Sequence, residues 1–327
     1  MSRSIARATA LGVAGAFLAA ALGGCAPPAP EAADTAPTTA AFAIDQDFPD
    51  PDVLEADGEF LVFATNTPAV NVQLATSDDG EEWDVLLEDA LPDLPAWASD
   101  GRTWAPEVSA ITGGGYALYF TAAHTESNKQ CIGVATASVP AGPYVPVEAD
   151  PLVCPLEEGG AIDASVFTED DGSQYLLYKT DGNCCGMDTW IELAPLTPEG
   201  TALAGPATKL FQQTELWEGN LVEAPVMVKH DSNYYVFYSA NDYGSWSYAI
   251  GVASAPAITG PYTKEPEPVL SSEATEGRYI GPGGQDVFPT PEGDVIVFHS
   301  WDELMIYRGM HTLPLTWDGD TPTVEVP

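Results

Sequence analysis

From Phe42 onward the chain alternates between apolar and polar positions at period two, in short runs cut by Gly, Asp and Asn, which is the pattern of strands joined by tight turns. Helical patterning is weak, because 29 prolines and 30 glycines leave few uninterrupted stretches. Five segments share one form: "DPDVLEADGEFLVFAT" from Asp50, "APEVSAITGGGYALYFTA" from Ala105, "DASVFTEDDGSQYLLYKT" from Asp163, "EAPVMVKHDSNYYVFYSA" from Glu223 and "GQDVFPTPEGDVIVFHSW" from Gly284. Each is a short strand centred on a valine, then a turn, then a second strand rich in aromatic and β-branched residues, the signature of a hairpin.

The valines Val53, Val108, Val166, Val226 and Val287 lie 55, 58, 60 and 61 residues apart. Further strands follow several hairpins, and two of these segments, "IGVATASVPAGPY" and "IGVASAPAITGPY", nearly repeat each other up to Tyr144 and Tyr262. About four short strands per period of this length make a propeller blade, so the pattern predicts an all-β, five-bladed β-propeller. The runner-up architecture, a β-sandwich, leaves a fivefold repeat unexplained.

The first strand of each propeller blade lines the central channel, so equivalent positions in different blades face one axis. Aligned on the valines, the residues three positions earlier are Asp50, Ala105, Asp163, Glu223 and Gly284. Three carboxylates from three blades are thereby predicted to meet at one end of the channel. Glycosidic bonds are cleaved by such sets: one carboxylate activates water, a second carboxyl protonates the leaving oxygen, and a neighbouring negative charge helps the second keep its proton.

The leader changes the count of what folds. Arg3 and Arg7 precede an apolar run from Ala8 to Leu22 and then "GGC", which is a secretory signal over residues 1–24, too short and Ala/Gly-rich for a good membrane span. "LGGC" resembles the lipobox of bacterial lipoproteins, which implies lipidation of Cys25 and anchoring to the outer face of the cell membrane. Residues 25–42 form an Ala/Pro/Thr tether without a core, leaving 43–327 as the folded domain.

The whole chain carries a formal charge of −39, and loss of the two leader arginines makes it about −41. Such a surface disfavours nucleic acid and anionic membranes. Of the remaining cysteines, Cys131 is expected to pair with Cys154, leaving Cys184 and Cys185 as a vicinal bridge or as free thiols. No histidine or CxxC spacing accompanies them, which argues against zinc.

At the carboxylates the sequence resembles glycoside hydrolase family 43 over nearly all of residues 43–327: "FPDPDV", "TWAPEV", "IDASVF" and "VEAPVM" occur in that family's order. The resemblance implies hydrolysis with inversion of terminal α-L-arabinofuranosyl or β-D-xylosyl residues, with Asp50 as base, Glu223 as acid and Asp163 as pKa modulator. It implies Phe48 and Trp104 as aromatic walls of the sugar pocket, Arg308 as a contact to sugar hydroxyls, and Lys179 and Asn183 as further pocket residues. Asp52 is expected to hydrogen-bond backbone instead.

Many relatives carry "GHG" at the start of the fifth blade, where the histidine helps hold an ion. This chain reads "GPGGQD" and lacks that histidine, so a structural calcium would fall to Gln285 or His299; no cofactor is expected to be required. The expected partner is an arabinose- or xylose-containing oligo- or polysaccharide, taken by a monomer whose only membrane contact is the lipid anchor. Two other readings stand beside this one: a non-catalytic carbohydrate-binding propeller, and a β-fructosidase-like enzyme that retains configuration. Retention needs carboxyls about 5–5.5 Å apart, against roughly 6.5–9.5 Å for inversion.

Overall fold

A computed structural model describes residues 39–147, 149–290 and 293–327. The leader, Cys25 and most of the tether lie outside these residues. Five antiparallel sheets follow one another along the chain. Blade 1 is β1 (Asp52–Ala56), β2 (Glu59–Ala64), β3 (Gln73–Ser77) and β4 (Asp84–Val85). Blade 2 is β5 (Ala98–Ala110), β6 (Tyr116–His124), β7 (Gln130–Ala137) and β8 (Val145–Pro146), and blade 3 is β9 (Ala161–Thr168), β10 (Gln174–Thr180), β11 (Trp190–Pro195) and β12 (Thr208–Gln212). Blade 4 comprises β13 (Val222–His230), β14 (Asn233–Ala240), β15 (Ala249–Ala255) and β16 (Thr263–Lys264), with β17 (Leu270–Ser271) also on β15. Blade 5 is β18 (Ile280–Thr290), β19 (Gly293–Trp301), β20 (Arg308–Asp318) and β21 (Thr321–Val324).

The first strands touch in cyclic order, β1 to β5, β9, β13, β18 and back to β1, so they form the inner wall of a closed ring. Apolar side chains fill the spaces between blades. Phe63 and Phe120 belong to the layer between blades 1 and 2, Tyr119 and Tyr178 to the next, Leu177 and Tyr238 to the third, Phe237 and Phe298 to the fourth, and Val62 and Val297 to the fifth. Each blade therefore buries apolar side chains against both of its neighbours. The N-terminal segment seals the last gap: Ala43 N–H donates to Met310 O (2.8 Å), Met310 N–H to Ile44 O (3.1 Å) and Phe48 N–H to Arg308 O (2.8 Å), along β20.

The strand register corrects the alignment in one blade. Val53, Val108, Val166 and Val287 pair with Val62, Leu118, Leu176 and Ile296, but the matching partner in blade 4, Val236, faces Met227 and not Val226. The residues level with one another are therefore Asp50, Ala105, Asp163, Ala224 and Gly284, all in the left-handed region with φ of 57°, 40°, 57°, 47° and 55°. Glu223 sits one residue before its rung. Valine was a misleading marker here because "PVMV" offers two apolar residues in sequence.

On the second strands a matching rung reads Thr65, Thr121, Lys179, Ser239 and His299. In four cases its side chain accepts the N–H of the left-handed residue of the next blade: Ala105 to Thr65 (2.9 Å), Asp163 to Thr121 (3.3 Å), Gly284 to Ser239 (2.9 Å) and Asp50 to His299 (3.1 Å). Lys179 has no acceptor, and there the N–H of Ala224 goes to Asp163 Oδ2 instead (2.9 Å). The break in the pattern falls at the catalytic candidates.

The structure joins Cys131 to Cys154, and it joins Cys184 to Cys185 as a vicinal bridge in the short turn Gly182–Cys185. Both "GPY" segments contain a cis Gly–Pro bond, with the tyrosine hydroxyl donating to the carbonyl four residues back, Tyr144 to Pro140 (2.6 Å) and Tyr262 to Ile258 (2.9 Å).

Candidate active site

A cavity of about 710 Å³ opens at one end of the ring and is lined by Asp50, Asp163 and Glu223. Its size suits a small ligand such as one or a few sugar units. Asp50 comes from the start of blade 1, Asp163 from β9 and Glu223 from β13, so the ring does bring the three expected carboxylates to one place.

Asp50 is built to stay ionised. Burial alone would raise its pKa, but the Arg308 guanidinium (Nη1 to Oδ1, 3.6 Å), His299 and the Thr65 hydroxyl (2.7 Å to Oδ2) together hold it well below the carboxylate range. Thr65 does two jobs at once, donating to Asp50 and accepting from Ala105. Gly284 makes room for this packing: a Cβ there would stand 2.5 Å from Asp50 Oδ1.

Asp163 is pushed the other way, to about 8, by burial first and then by the charge of Glu223, with Lys179 opposing. Glu223 receives two donors: Lys179 Nζ at 2.7 Å from Oε2 and the Tyr248 hydroxyl at 2.8 Å from Oε1. The site thus holds one carboxylate kept charged, Asp50, and one pushed up to about 8, Asp163, which faces Glu223.

Other expected residues divide. Trp104, Asn183 and Arg308 line the cavity. Phe48 does not: it is fully buried in the layer between blades 5 and 1, a core residue and not a pocket wall. Lys179 lines the site but is 1% exposed and committed to Glu223, so its partner is the carboxylate and not a sugar hydroxyl. Asp52 accepts a backbone N–H as expected, that of Val108 in the next blade (2.8 Å).

The two candidates for a calcium are both engaged. Gln285 accepts from Ser239 Oγ (2.7 Å) and donates to Ala224 O (2.6 Å); His299 accepts the Asp50 N–H and stacks on Tyr248. Among the described residues no group of three His, Cys, Asp or Glu is placed to hold a metal ion. Three further carboxylates line the same cavity and meet one another: Asp286 accepts the Val53 N–H (3.0 Å), Asp52 that of Val108, and Glu107 bonds to Asp52.

Sequence reasoning missed Tyr248, which precedes β15 outside the hairpin repeat. It also missed the rung of Thr65, Thr121, Lys179, Ser239 and His299, although each closes a matching run: "LVFAT", "ALYFT", "YLLYK", "YVFYS" and "VIVFH".

Comparison with known proteins agrees with this architecture. The chain is 30% identical over 220 residues to the Beta-D-galactofuranosidase xynD of Aspergillus niger, covering 62% of this chain and 58% of that protein. It is 24% identical over 285 residues to the Extracellular endo-alpha-(1->5)-L-arabinanase 1 of Bacillus subtilis, covering 82% and 84%. The chain spans little more than half the length of the galactofuranosidase and of a second B. subtilis arabinanase, 58% and 53%. Among solved structures, a thermostable family-43 glycoside hydrolase matches with TM-score 0.75 and 26% identity over 89% of this chain and 95% of that one. An endo-1,4-beta-xylanase of Bacteroides thetaiotaomicron matches with TM-score 0.75 and 25% identity over 88% and 96%. The model of the glycosyl hydrolases family 43 matches residues 43–322, nearly the whole propeller, and the chain belongs to that family.

Proposed function

We propose that this chain is an exported glycosidase that hydrolyses terminal α-L-arabinofuranosyl or β-D-xylosyl residues with inversion at the anomeric carbon. The observation that carries the reading is the opposition in the cavity, where Asp50 is held ionised while burial and the charge of Glu223 push Asp163 up to about 8. A binding propeller needs hydrogen bonds and aromatic walls but has no use for that opposition.

In this reaction Asp50 takes a proton from a water that attacks the anomeric carbon. The glycosidic C–O bond breaks on the opposite face, and the leaving oxygen takes the proton from Glu223. Water is thereby divided between the two products, and exchange with solvent returns Asp50 to carboxylate and Glu223 to acid. Asp163 takes the modulator's place, because it faces Glu223 and two negative charges held together in this burial repel each other. Trp104 offers a face to sugar C–H groups, and Arg308 fixes Asp50.

The names of the relatives support furanosides and xylosides as the substrate class, and galactofuranose joins them as a third sugar. The "LGGC" leader and the two disulfides support an exported, lipid-anchored protein whose tether frees the propeller from the membrane surface. A screen of aryl glycosides of L-arabinofuranose, D-xylose and D-galactofuranose with wild type and Glu223→Gln tests the reading. Turnover of one sugar, lost about a hundredfold in the variant, supports it; equal turnover by both proteins removes Glu223 as the acid.

A further inference from the structure

Two buried donors at the acid have no task in the reaction as written. Lys179 enters from β10 and Tyr248 from the start of β15, and between them they contact both oxygens of Glu223, at 2.7 and 2.8 Å. The two side chains are 1% and 2% exposed, so neither donor competes with bulk water. Each carboxylate oxygen keeps a second lone pair, so one of them can carry the catalytic proton with both donors in place.

The charges around this clamp are few. Lys179 faces Glu223, Asp181 at 3.7 Å and, from β9, Asp163; Lys129 lies beyond Asp181. Tyr248 faces Glu223, with Asp163 and Asp50 farther off, and its ring lies on His299 at 5.9 Å between centroids. Arg308 serves Asp50 across the cavity. One ammonium therefore stands among three acids on the acid's side of the site.

We propose that Lys179 and Tyr248 are positioning residues that stabilise the carboxylate left on Glu223 as its proton passes to the leaving oxygen, Lys179 doing so against the opposing charge of Asp163. Donors fixed where charge develops lower the barrier without reorganising during the reaction. Asp163 opposes a second negative charge beside it before the step; Lys179 and Tyr248 receive the charge that forms on Glu223 during it. The same rung in the other blades carries Thr65, Thr121, Ser239 and His299, none of which can supply a fixed positive charge at neutral pH in this burial.

The inference rests on Glu223 as the acid and makes a demand that a structural role would not. Lys179→Met, Lys179→Arg, Tyr248→Phe and Glu223→Gln are compared on two glycosides of one sugar, one with p-nitrophenol and one with an alkyl alcohol as leaving group, each across pH. Lys179→Met should lose roughly tenfold or more beyond its p-nitrophenyl loss on the alkyl glycoside. Its alkaline limb should move up by about one pH unit, because the charge favouring ionisation of the Asp163–Glu223 pair is gone. Lys179→Arg should restore both, and Tyr248→Phe, which keeps the ring, should shift both in the same direction by less. Equal losses on the two substrates with unmoved limbs in Lys179→Met and Tyr248→Phe would overturn the proposal. Should Glu223→Gln keep its activity on the alkyl glycoside, the acid assignment itself fails first, and that result is distinct from a failed clamp.

Discussion

Oδ2 of Asp163 accepts the backbone N–H of Ala224, the residue that follows the candidate acid Glu223, at 2.9 Å. One atom pair thereby fixes two blades against each other and sets a buried carboxyl beside the candidate acid. It also replaces the contact made elsewhere in the ring by Thr65, Thr121, Ser239 and His299, which frees Lys179 to reach Glu223.

Activity should fall as pH rises past roughly 8, where Asp163 loses its proton beside Glu223. Asp50, kept below the carboxylate range, should set no limb above pH 5. Asp163→Asn removes the neighbouring charge, so the alkaline limb should move down while kcat drops. A pH profile of kcat/KM for wild type and variant checks both the position and the sign.

The cluster of Asp52, Glu107 and Asp286 in the cavity wall makes stability depend on pH. Burial raises Asp52 to about 8 and Asp286 to about 6, and raises Glu107 as well. Because these folded values exceed those of the unfolded chain, their contribution is complete below about pH 4 and is lost as pH rises through 6 to 8. The melting temperature should fall between pH 6 and 9, and Asp52→Asn, which retains an oxygen for the Val108 N–H, should flatten that fall by about 2–4 °C per kcal/mol recovered. Thermal unfolding at pH 6, 7.5 and 9 measures it.

Phe48 and Trp104 should separate cleanly. Phe48→Ala empties a fully buried position between blades and should cost about 3–5 kcal/mol in denaturant unfolding. Trp104→Ala removes a cavity wall and should raise KM by up to roughly tenfold with a smaller loss of stability.

Outside the cavity lining, Lys264 and Glu218 form a buried pair at 2.5 Å, with the Tyr238 hydroxyl on the same carboxylate at 2.6 Å. Lys264→Met leaves Glu218 charged and without its counter-ion, so stability should drop by about 3 kcal/mol. Catalytic constants at 25 °C should hold, because neither residue lines the cavity.

The fivefold repeat, the ring and the meeting of Asp50, Asp163 and Glu223 were legible because strand alternation and turn spacing are local properties. Left-handed backbone at Asp50 and Asp163 was not, since nothing in "FPDP" or "IDAS" demands it; it follows from the N–H contacts to His299 and Thr121 in preceding blades. The slip at Met227 escaped notice because two apolar residues in a row satisfy the same pattern. Phe48 was misplaced because an aromatic beside a catalytic candidate can face the pocket or the core with the same neighbours in sequence. Tyr248 lies in a loop whose length varies from blade to blade, and only the folded chain brings its hydroxyl to Glu223.

The account turns on water activated by Asp50 attacking the face opposite the oxygen protonated by Glu223. Proton NMR of the first-formed sugar, followed from the start of hydrolysis before mutarotation, reads that geometry directly. Wild type should release the anomer of opposite configuration to the substrate; release of the same anomer would contradict the assignment of these carboxylates.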